Sequence, residues 1–482
     1  MAFSRFRHVQ PVPAHQDKQF LNMNPTGALW DCSNLMACND RFIAIPWSQL
    51  GTTAVFRHSD YGKISSTPPV LLGQEGHVID VAFNPFDSSK LFTASEDGTI
   101  MGWDIPEEGL KENCSDNIVH LQGHSKKVGI MNFHPSAENV LASAGADMVV
   151  NIWDVNTAKA GYTLKCHTEQ IMSIDWNLNG SLLCSTSRDR KLNVVDPRKG
   201  SIVNSANAHQ STKTQRAVWA RRSDMILTVG FNKIQARQVM LWDTRSLEMP
   251  VQTEDVDQTC AVMLPFFDDD TNLLYIGSRG DGGIRSFELM EGRLVNCTSY
   301  ASTEAHKGLC MVPKWMLDTR QCEIARFYAL TQKSLYTIQM LLPRKQADVK
   351  LQEDVYPPTF SDKPALSTSE YFAGENRKPL VMSMQPVFER TTPVASRGME
   401  SDAKSGHTLS RHTDPALIGK NRPLHNDGED ESHSLRQQLQ PLLLELKRRQ
   451  EEVKKCREEL RRQESLMNEV IAKIHTIASG NS

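Results

Sequence analysis

The sequence predicts an all-β fold: a seven-bladed β-propeller of the WD-repeat type, followed by a C-terminal extension, a disordered linker and a terminal α-helical coiled coil. Paired dipeptides carry the first part. Gly76-His77 is followed by Trp103-Asp104, Gly123-His124 by Trp153-Asp154, Cys166-His167 by Val195-Asp196, and Ala208-His209 by Trp242-Asp243. The closing aspartates fall 50, 42 and 47 residues apart, which is the period of a four-stranded blade. A seven-residue apolar repeat near the C-terminus carries the last part.

Inside three of these units the spacing tightens. Asp97 precedes Trp103 by six residues, Asp147 precedes Trp153 by six, and Asp189 precedes Val195 by six. A hydroxyl sits four before each: Thr93, Ser143 and Ser185. This predicts one buried relay per blade. His77, His124 or His167 reaches the turn Asp, the hydroxyl bridges to the His, and the Trp indole caps the chain. Buried polar groups need partners, and a satisfied network fixes one packing. A His beside an Asp resembles a catalytic pair, but an active site is not copied three times at blade spacing, so the relay reads as scaffold.

The blades follow in order. Val81-Ala82-Phe83, Leu91-Phe92-Thr93-Ala94 and Ile226-Leu227-Thr228-Val229 are apolar runs bounded by turn residues, as strands require. Leu273 to Ile276, the turn Arg279-Gly280-Asp281-Gly282-Gly283 and Ile284 to Phe287 make a degenerate unit. Its glycines do not open a helix, which excludes a nucleotide loop. Ala325 to Leu330 and Leu335 to Ile338 supply another strand pair. Arg41 to Ile45 and Thr53 to Phe56 read as strands without a Gly-His start. Five blades centre on 104, 154, 196, 243 and 288, one lies near 338, and one is shared by the N-terminus to close the ring. The propeller then spans 1–345.

Beyond it, 346–393 is proline-punctuated and carries Tyr356, Phe360, Tyr371, Phe372 and Phe388, so it is expected to pack on the propeller. Residues 394–433, poor in aromatics, read as a flexible linker. In 434–482 two series recur every seven residues. One is Leu439, Leu446, Val453, Leu460, Met467 and Ile474; the other is Leu435, Leu442, Arg449, Cys456, Gln463, Val470 and Ile477. They form the seam of an oligomerising coiled coil. Glu445/Arg449, Glu451/Lys455 and Glu458/Arg462 add favourable pairs one turn apart.

The 482 residues, 39% hydrophobic and 23% charged with a net charge of −3, describe a soluble chain with no global nucleic-acid footprint. The opening MAFSRFRHVQ lacks the apolar core of a signal peptide, and no run reaches the length of a membrane span. The ten cysteines have no zinc spacing, so a cytoplasmic, reducing location is expected. No Walker loop, His-Glu-X-X-His or Gly-X-Ser-X-Gly elbow occurs. The chain is therefore expected to be no enzyme and to hold no cofactor and no metal. Asp268-Asp269-Asp270 lies in a turn, reads as solvated, and lacks calcium-loop spacing.

Several stretches carry a specific resemblance: Arg5-Phe6-Arg7-His8-Val9, Arg41-Phe42-Ile43-Ala44, Asp196-Pro197-Arg198-Lys199-Gly200, and Arg237-Gln238-Val239-Met240-Leu241-Trp242-Asp243. Leu264-Pro265-Phe266-Phe267-Asp268, Cys322 to Tyr328, Pro343-Arg344-Lys345 and Gln352 to Thr359 continue it. The sequence resembles the coronins, actin-filament-binding proteins, over residues 5–390. The resemblance implies a propeller that binds filamentous actin, oligomerisation through the coiled coil, crosslinking or bundling of filaments, and a place in the actin cytoskeleton. Many coronins also regulate the actin-related-protein branching complex. Many of their coiled coils resemble parallel trimers with an Arg-apolar-X-X-apolar-Glu motif. That motif is absent here, and the central Arg449, Cys456 and Gln463 layers leave strand number and direction open.

Between 186 and 222 nine basic residues face two acidic ones: Arg188, Arg190, Lys191, Arg198, Lys199, Lys213, Arg216, Arg221 and Arg222 against Asp189 and Asp196. Actin filaments are acidic, so these residues, with Arg5 and Arg7, are the candidate contacts. The rival reading places these charges on different faces of two blades, where they do not add up. The rival function is a WD-repeat adaptor for another complex, such as microtubules, vesicle coats or a ubiquitin ligase.

Overall fold

A computed structural model describes residues 4–28 and 33–390. The linker and coiled-coil expectations fall outside these residues.

Seven sheets, antiparallel except for one short parallel pair at the edge of the last, stand around one central channel. Blade 1 holds Ala37–Cys38, Phe42–Pro46, Thr52–Arg57 and Val70–Leu72. Blades 2 to 6 each hold four consecutive strands, spanning 78–122, 128–164, 171–207, 216–257 and 262–302. Blade 7 combines Gly308–Met311, Glu323–Leu330 and Ser334–Leu341 with strands from the other end of the chain. Gln10–Pro13 pairs antiparallel with Ser334–Leu341, from Gln10 opposite Leu341 to Pro13 opposite Ile338. Phe20–Leu21 extends the same edge and Gly62–Lys63 follows it.

The count of seven agrees with the sequence, but the shared blade is a different one. Arg41 to Ile45 and Thr53 to Phe56 belong to a blade built wholly from the N-terminal region. The unit near 338 is the composite. Two short strands, Gln10–Pro13 and Phe20–Leu21, close it, and their length hides them from any periodicity.

Apolar layers fill the spaces between blades. Trp103, Trp153, Trp176, Trp219 and Trp242 are fully buried in them. Within each blade successive strands reverse direction. The loops between blades and the turns between second and third strands therefore share one end of the channel, called here the relay face. The first and third turns of each blade share the opposite end.

Residues 346–390 form a strap across that opposite end. Val355 and Tyr356 are buried, and the Tyr356 hydroxyl donates to the Glu323 carbonyl at 2.8 Å. Thr359–Phe360 pairs with Val381–Met382, so the strap runs out and returns. Its far end reaches blade 3, where Leu366 N donates to Ser136 O at 3.0 Å and Glu138 N to Leu366 O at 3.0 Å. There the run Ser367-Thr368-Ser369-Glu370 makes a capping box: Ser367 N donates to Glu370 Oε2 at 2.8 Å, and Ser367 Oγ accepts from Glu370 N at 3.3 Å. Helix Thr368–Phe372 ends before Gly374, whose φ of +104° suits glycine.

Candidate binding surface and the clamps beneath it

The relays come first, because they fix the loops of the relay face. Blade 3 has the full chain. His124 Nδ1 meets Asp147 Oδ1 and Oδ2 at 3.1 Å, its Nε2 meets Ser143 Oγ at 2.8 Å, and Trp153 Nε1 donates to Ser143 Oγ at 2.8 Å. Blade 4 keeps three members: His167 binds Asp189 Oδ2 and Ser185 Oγ, each at 2.9 Å, and Val195 stands where an indole would be. Partial burial opposes ionisation of Asp189. The bonds from His167 and from the Lys191 and Thr168 amides outweigh it and hold the carboxyl at about 2.

Blade 2 departs from expectation. Trp103 Nε1 donates to Thr93 Oγ1 at 2.9 Å, but the ring of His77 bonds neither Thr93 nor Asp97. Asp97 instead accepts the Glu75, Gly76 and Thr99 amides at 2.8, 3.2 and 2.8 Å, so backbone donors take the place of the imidazole. Blade 5 holds a relay absent from the expected set. Its His209 Nε2 meets Thr228 Oγ1 at 3.1 Å, and Trp242 Nε1 donates to the same hydroxyl at 2.9 Å. Here fourteen residues separate hydroxyl and Trp, against ten in blade 3. The signal was the Ala208-His209 dipeptide, not the spacing.

The eleven candidate cations do not form one patch. Arg216, Arg221, Arg222 and Arg198 are engaged internally. Arg216 is buried at the channel beside Asp80. Arg221 donates to Asp175 Oδ1 at 2.9 Å and to the Trp176 carbonyl at 3.3 Å, and lies 3.9 Å from Asp269, tying blades 4, 5 and 6 together. Lys199, on the same third turn as Arg198, pairs with Asp196 at 3.3 Å. Arg5 lies 4.0 Å from Glu288 and 3.8 Å from Asp354, at the strap end, and exposed Arg7 donates to His8 at 3.0 Å.

Three arginines grip the strap in one manner, each under an aromatic ring and bonded to a strap carbonyl. Arg198 sits 4.2 Å from the Tyr371 ring centroid and donates to Tyr371 O, Asn376 Oδ1 and Glu375 O at 3.2, 2.7 and 2.8 Å. Arg222 sits 4.8 Å from Phe360 and donates to Pro358 O at 2.7 Å. Arg320 sits 4.2 Å from Phe388 and donates to Asp348 O. A charged hydrogen bond is worth about 1.5–3 kcal/mol, and a cation over a ring adds about 0.5–1 kcal/mol at exposed sites.

The aspartate run is likewise not solvated. Asp268 and Asp269 are buried, and Asp270 is half-buried. Lys314 meets Asp268 at 2.5 Å and Arg222 meets Asp270 at 2.9 Å, while Arg221 faces Asp269. Burial still pushes Asp269 up to about 6 against the pull of Arg221. Among the described residues no cluster of three or more His, Cys, Asp or Glu residues suits a metal.

The channel also holds carboxylates that the sequence reading missed. Asp80 accepts the Met131 amide at 2.8 Å and the Ser33 hydroxyl at 2.9 Å, and burial raises it to about 6. Asp175 accepts the Trp219 amide at 2.8 Å. Each stitches one blade's inner strand to the next. The visible signal was an Asp between apolar residues, in Ile79-Asp80-Val81 and Ile174-Asp175-Trp176.

What remains for an outside partner is on the relay face of blades 4 and 5. Arg188, Arg190, Lys191 and Lys213 are exposed and make no ion pair among the described residues. Lys213 lies 4.9 Å from the Phe231 ring centroid, beside a cavity of about 430 Å³ lined also by Arg188, Thr212 and Cys260. Exposed Lys165 and Lys233 extend the arc. In the connecting segments 165–170, 187–191, 208–215 and 232–236 the only acids are Glu169 and the relay-held Asp189.

Residues 69–104, 115–154 and 158–196 match the WD domain, G-beta repeat. Residues 1–63 match a domain of unknown function, DUF1899, and residues 335–379 match a type of WD40 repeat. That last segment contains most of the final propeller strand and much of the strap. Coronin-2A of Homo sapiens is 37% identical over 401 residues, 81% of this chain and 76% of that protein. Coronin-A of Dictyostelium discoideum is 36% identical over 389 residues, 80% and 86% of the two chains. The coronin-like protein of Saccharomyces cerevisiae is 34% identical over 405 residues, 81% and 62%. The solved WD40 domain of Toxoplasma gondii coronin superposes with a TM-score of 0.74 at 30% identity, covering 78% of this chain and 97% of that one. These identities run through most of the chain and far past the repeat dipeptides, and the chain belongs to the coronin family.

Proposed function

We propose that the protein binds actin filaments through the cationic arc on the relay face of blades 4 and 5. The arc's four exposed cations from the sequence set, Arg188, Arg190, Lys191 and Lys213, carry the reading. They are exposed, share one face and meet few acids, which suits an acidic polymer. Family membership supports actin over other acidic partners. The propeller acts by binding and not by chemistry, and the histidine–aspartate pairs serve as struts.

Residues 434–482 are proposed to join several propellers, so that one assembly engages two filaments and bundles them. Linking modules raises avidity by about 10²–10⁴ where geometry allows. Regulation of branched-filament nucleation and an additional microtubule contact belong to the same proposal as further partners.

Co-sedimentation with filamentous actin tests the reading. The full chain should pellet with filaments at low salt and less as salt rises. Reversing Arg188, Arg190, Lys191 and Lys213 to Glu should abolish pelleting while the melting temperature holds. Undiminished pelleting of that variant would move the site elsewhere, and no pelleting of the unaltered chain would favour the adaptor reading.

A further inference from the structure

Two inner strands face each other where blade 7 meets blade 1: Gly308–Met311 and Ala37–Cys38. Cys310 is buried in the apolar layer between these blades, among Ile43, Ile45, Tyr328 and Leu330. Cys38 packs on the same layer from the other side, and its thiol lies 3.6 Å from the carbonyl of Met311, the neighbour of Cys310. The two strands that carry the thiols are neighbours across the blade junction. Both residues also line the central cavity of about 430 Å³, which gives small solutes a path to them. Both are free thiols. The other buried cysteines have different company: Cys166 faces Ser185, Cys184 lies by Asp175, and Cys322 by Tyr356.

We propose that Cys38 and Cys310 form a thiol-pair modification site, at which a small hydroperoxide links them and so joins the two ends of the ring covalently. Cys38 is the half-buried member and reacts first. Its thiolate sulfur attacks a peroxide oxygen, the O–O bond breaks, and hydroxide leaves and is protonated to water. Cys310 sulfur then attacks the sulfenic sulfur of Cys38. The S–S bond forms, the S–O bond breaks, and the departing oxygen takes the Cys310 proton to give a second water. Two electrons pass from the thiols to the peroxide. Burial and the nearby Cys38 hold the Cys310 thiol well above its usual range, so Cys38 and not Cys310 is the first nucleophile.

The position gives the bond its consequence. The ring is closed without a covalent bond, by the pairing of Gln10–Pro13 with Ser334–Leu341 and by the apolar layers on either side. A bridge between Cys38 and Cys310 encloses nearly the whole propeller, and the constraint on the unfolded chain grows with the length enclosed.

The test uses the full-length chain and hydrogen peroxide. Remaining thiols are blocked and the protein is digested without reductant. The expected product is a Cys38 peptide joined to a Cys310 peptide, lighter than the free pair by two hydrogen atoms. The melting temperature should rise and dithiothreitol should return it. C38S should abolish both changes, and C260S, at an exposed thiol, should alter neither. Sulfinic acid on Cys38 beside an unmodified Cys310 thiol would overturn the proposal. Phenylarsine oxide gives a second reading on unaltered protein. Retention through a monothiol wash supports a facing pair, and release in that wash overturns it.

Discussion

The guanidinium carbon of Arg198 lies 4.2 Å from the centroid of the Tyr371 ring, and the same group donates to the Tyr371 carbonyl at 3.2 Å. One turn of blade 4 thus holds both the side chain and the backbone of a residue 173 positions away. Tyr371 is fully buried, its ring 4.7 Å from that of His134. With Arg222 on Phe360 and Arg320 on Phe388, the strap is fixed at both ends and in the middle.

Arg198→Ala should therefore loosen the strap and not the ring. The loss should be about 2–3 kcal/mol, the scale of the charged bonds removed. Limited proteolysis should cut near Lys378 sooner, and filament pelleting should stay unchanged.

A smaller lesion should act in the same way. A Cβ on Gly161 would stand 2.2 Å from the Phe372 ring. Gly161→Ala should unseat Phe372 and lower the melting temperature, and Gly161→Ala combined with Phe372→Ala should recover part of the loss. A melting temperature equal to that of the unaltered protein would show that the strap gives way freely.

The relays differ in what they hold. His124→Ala breaks bonds to both Asp147 and Ser143 and should cost about 1–3 kcal/mol. His77→Ala breaks no relay bond and should cost clearly less. Equal losses in urea unfolding would mean that packing, and not the relay, sets the cost.

Acid should weaken the fold through its buried histidines. Burial lowers His134 to about 3, and His209 and His306 each to about 4, against about 6.5 when unfolded. A histidine depressed in the folded state gives stability that is present above pH 6.5 and lost as the pH falls toward its folded value. Asp80 and Asp269, raised to about 6, bind protons more readily in the folded state and oppose this slope between about pH 4 and 6. His134→Gln should remove about one proton from the unfolding linkage between pH 6.5 and 4. An unaltered slope of unfolding free energy against pH would show that His134 is already charged in the fold.

The terminal repeat should set the oligomer. Truncation at 433 should give a monomer in sedimentation that still pellets weakly with filaments but no longer bundles them. Replacing Arg449, Cys456 and Gln463 by Leu should stabilise the assembly and change its strand number. Light scattering from the 430–482 peptide decides: a monomer at high micromolar concentration would remove the coiled coil from the argument.

The sequence marked the blades because Gly-His and Trp-Asp stand near their ends, and it marked two relays in full because blades 3 and 4 keep regular spacing. It could not show that Asp97 would fill with backbone amides, since those donors depend on how the Glu75 loop turns. Spacing hid Thr228, because the hairpin between it and Trp242 is longer. The basic stretch misled for a geometric reason. Between Arg188 and Arg222 the chain runs through three strands of two blades, so neighbours in sequence alternate between opposite ends of the channel. Counting strands would have parted Arg190 from Arg198. Nothing local revealed that Arg198, Arg222 and Lys314 had partners 46 or more residues distant.

The composite seventh blade also sets a clock on synthesis. Gln10–Pro13 must wait for Ser334–Leu341, about 330 residues later. At about 5–20 residues per second the ribosome needs roughly 15–65 s to supply it. Until then the nascent chain is an unclosed arc with a bare strand edge, the kind that recruits chaperones or neighbours. A message cut short before Ser334 lacks the strand that closes that arc. Ring closure is therefore open only to a product translated into its last blade.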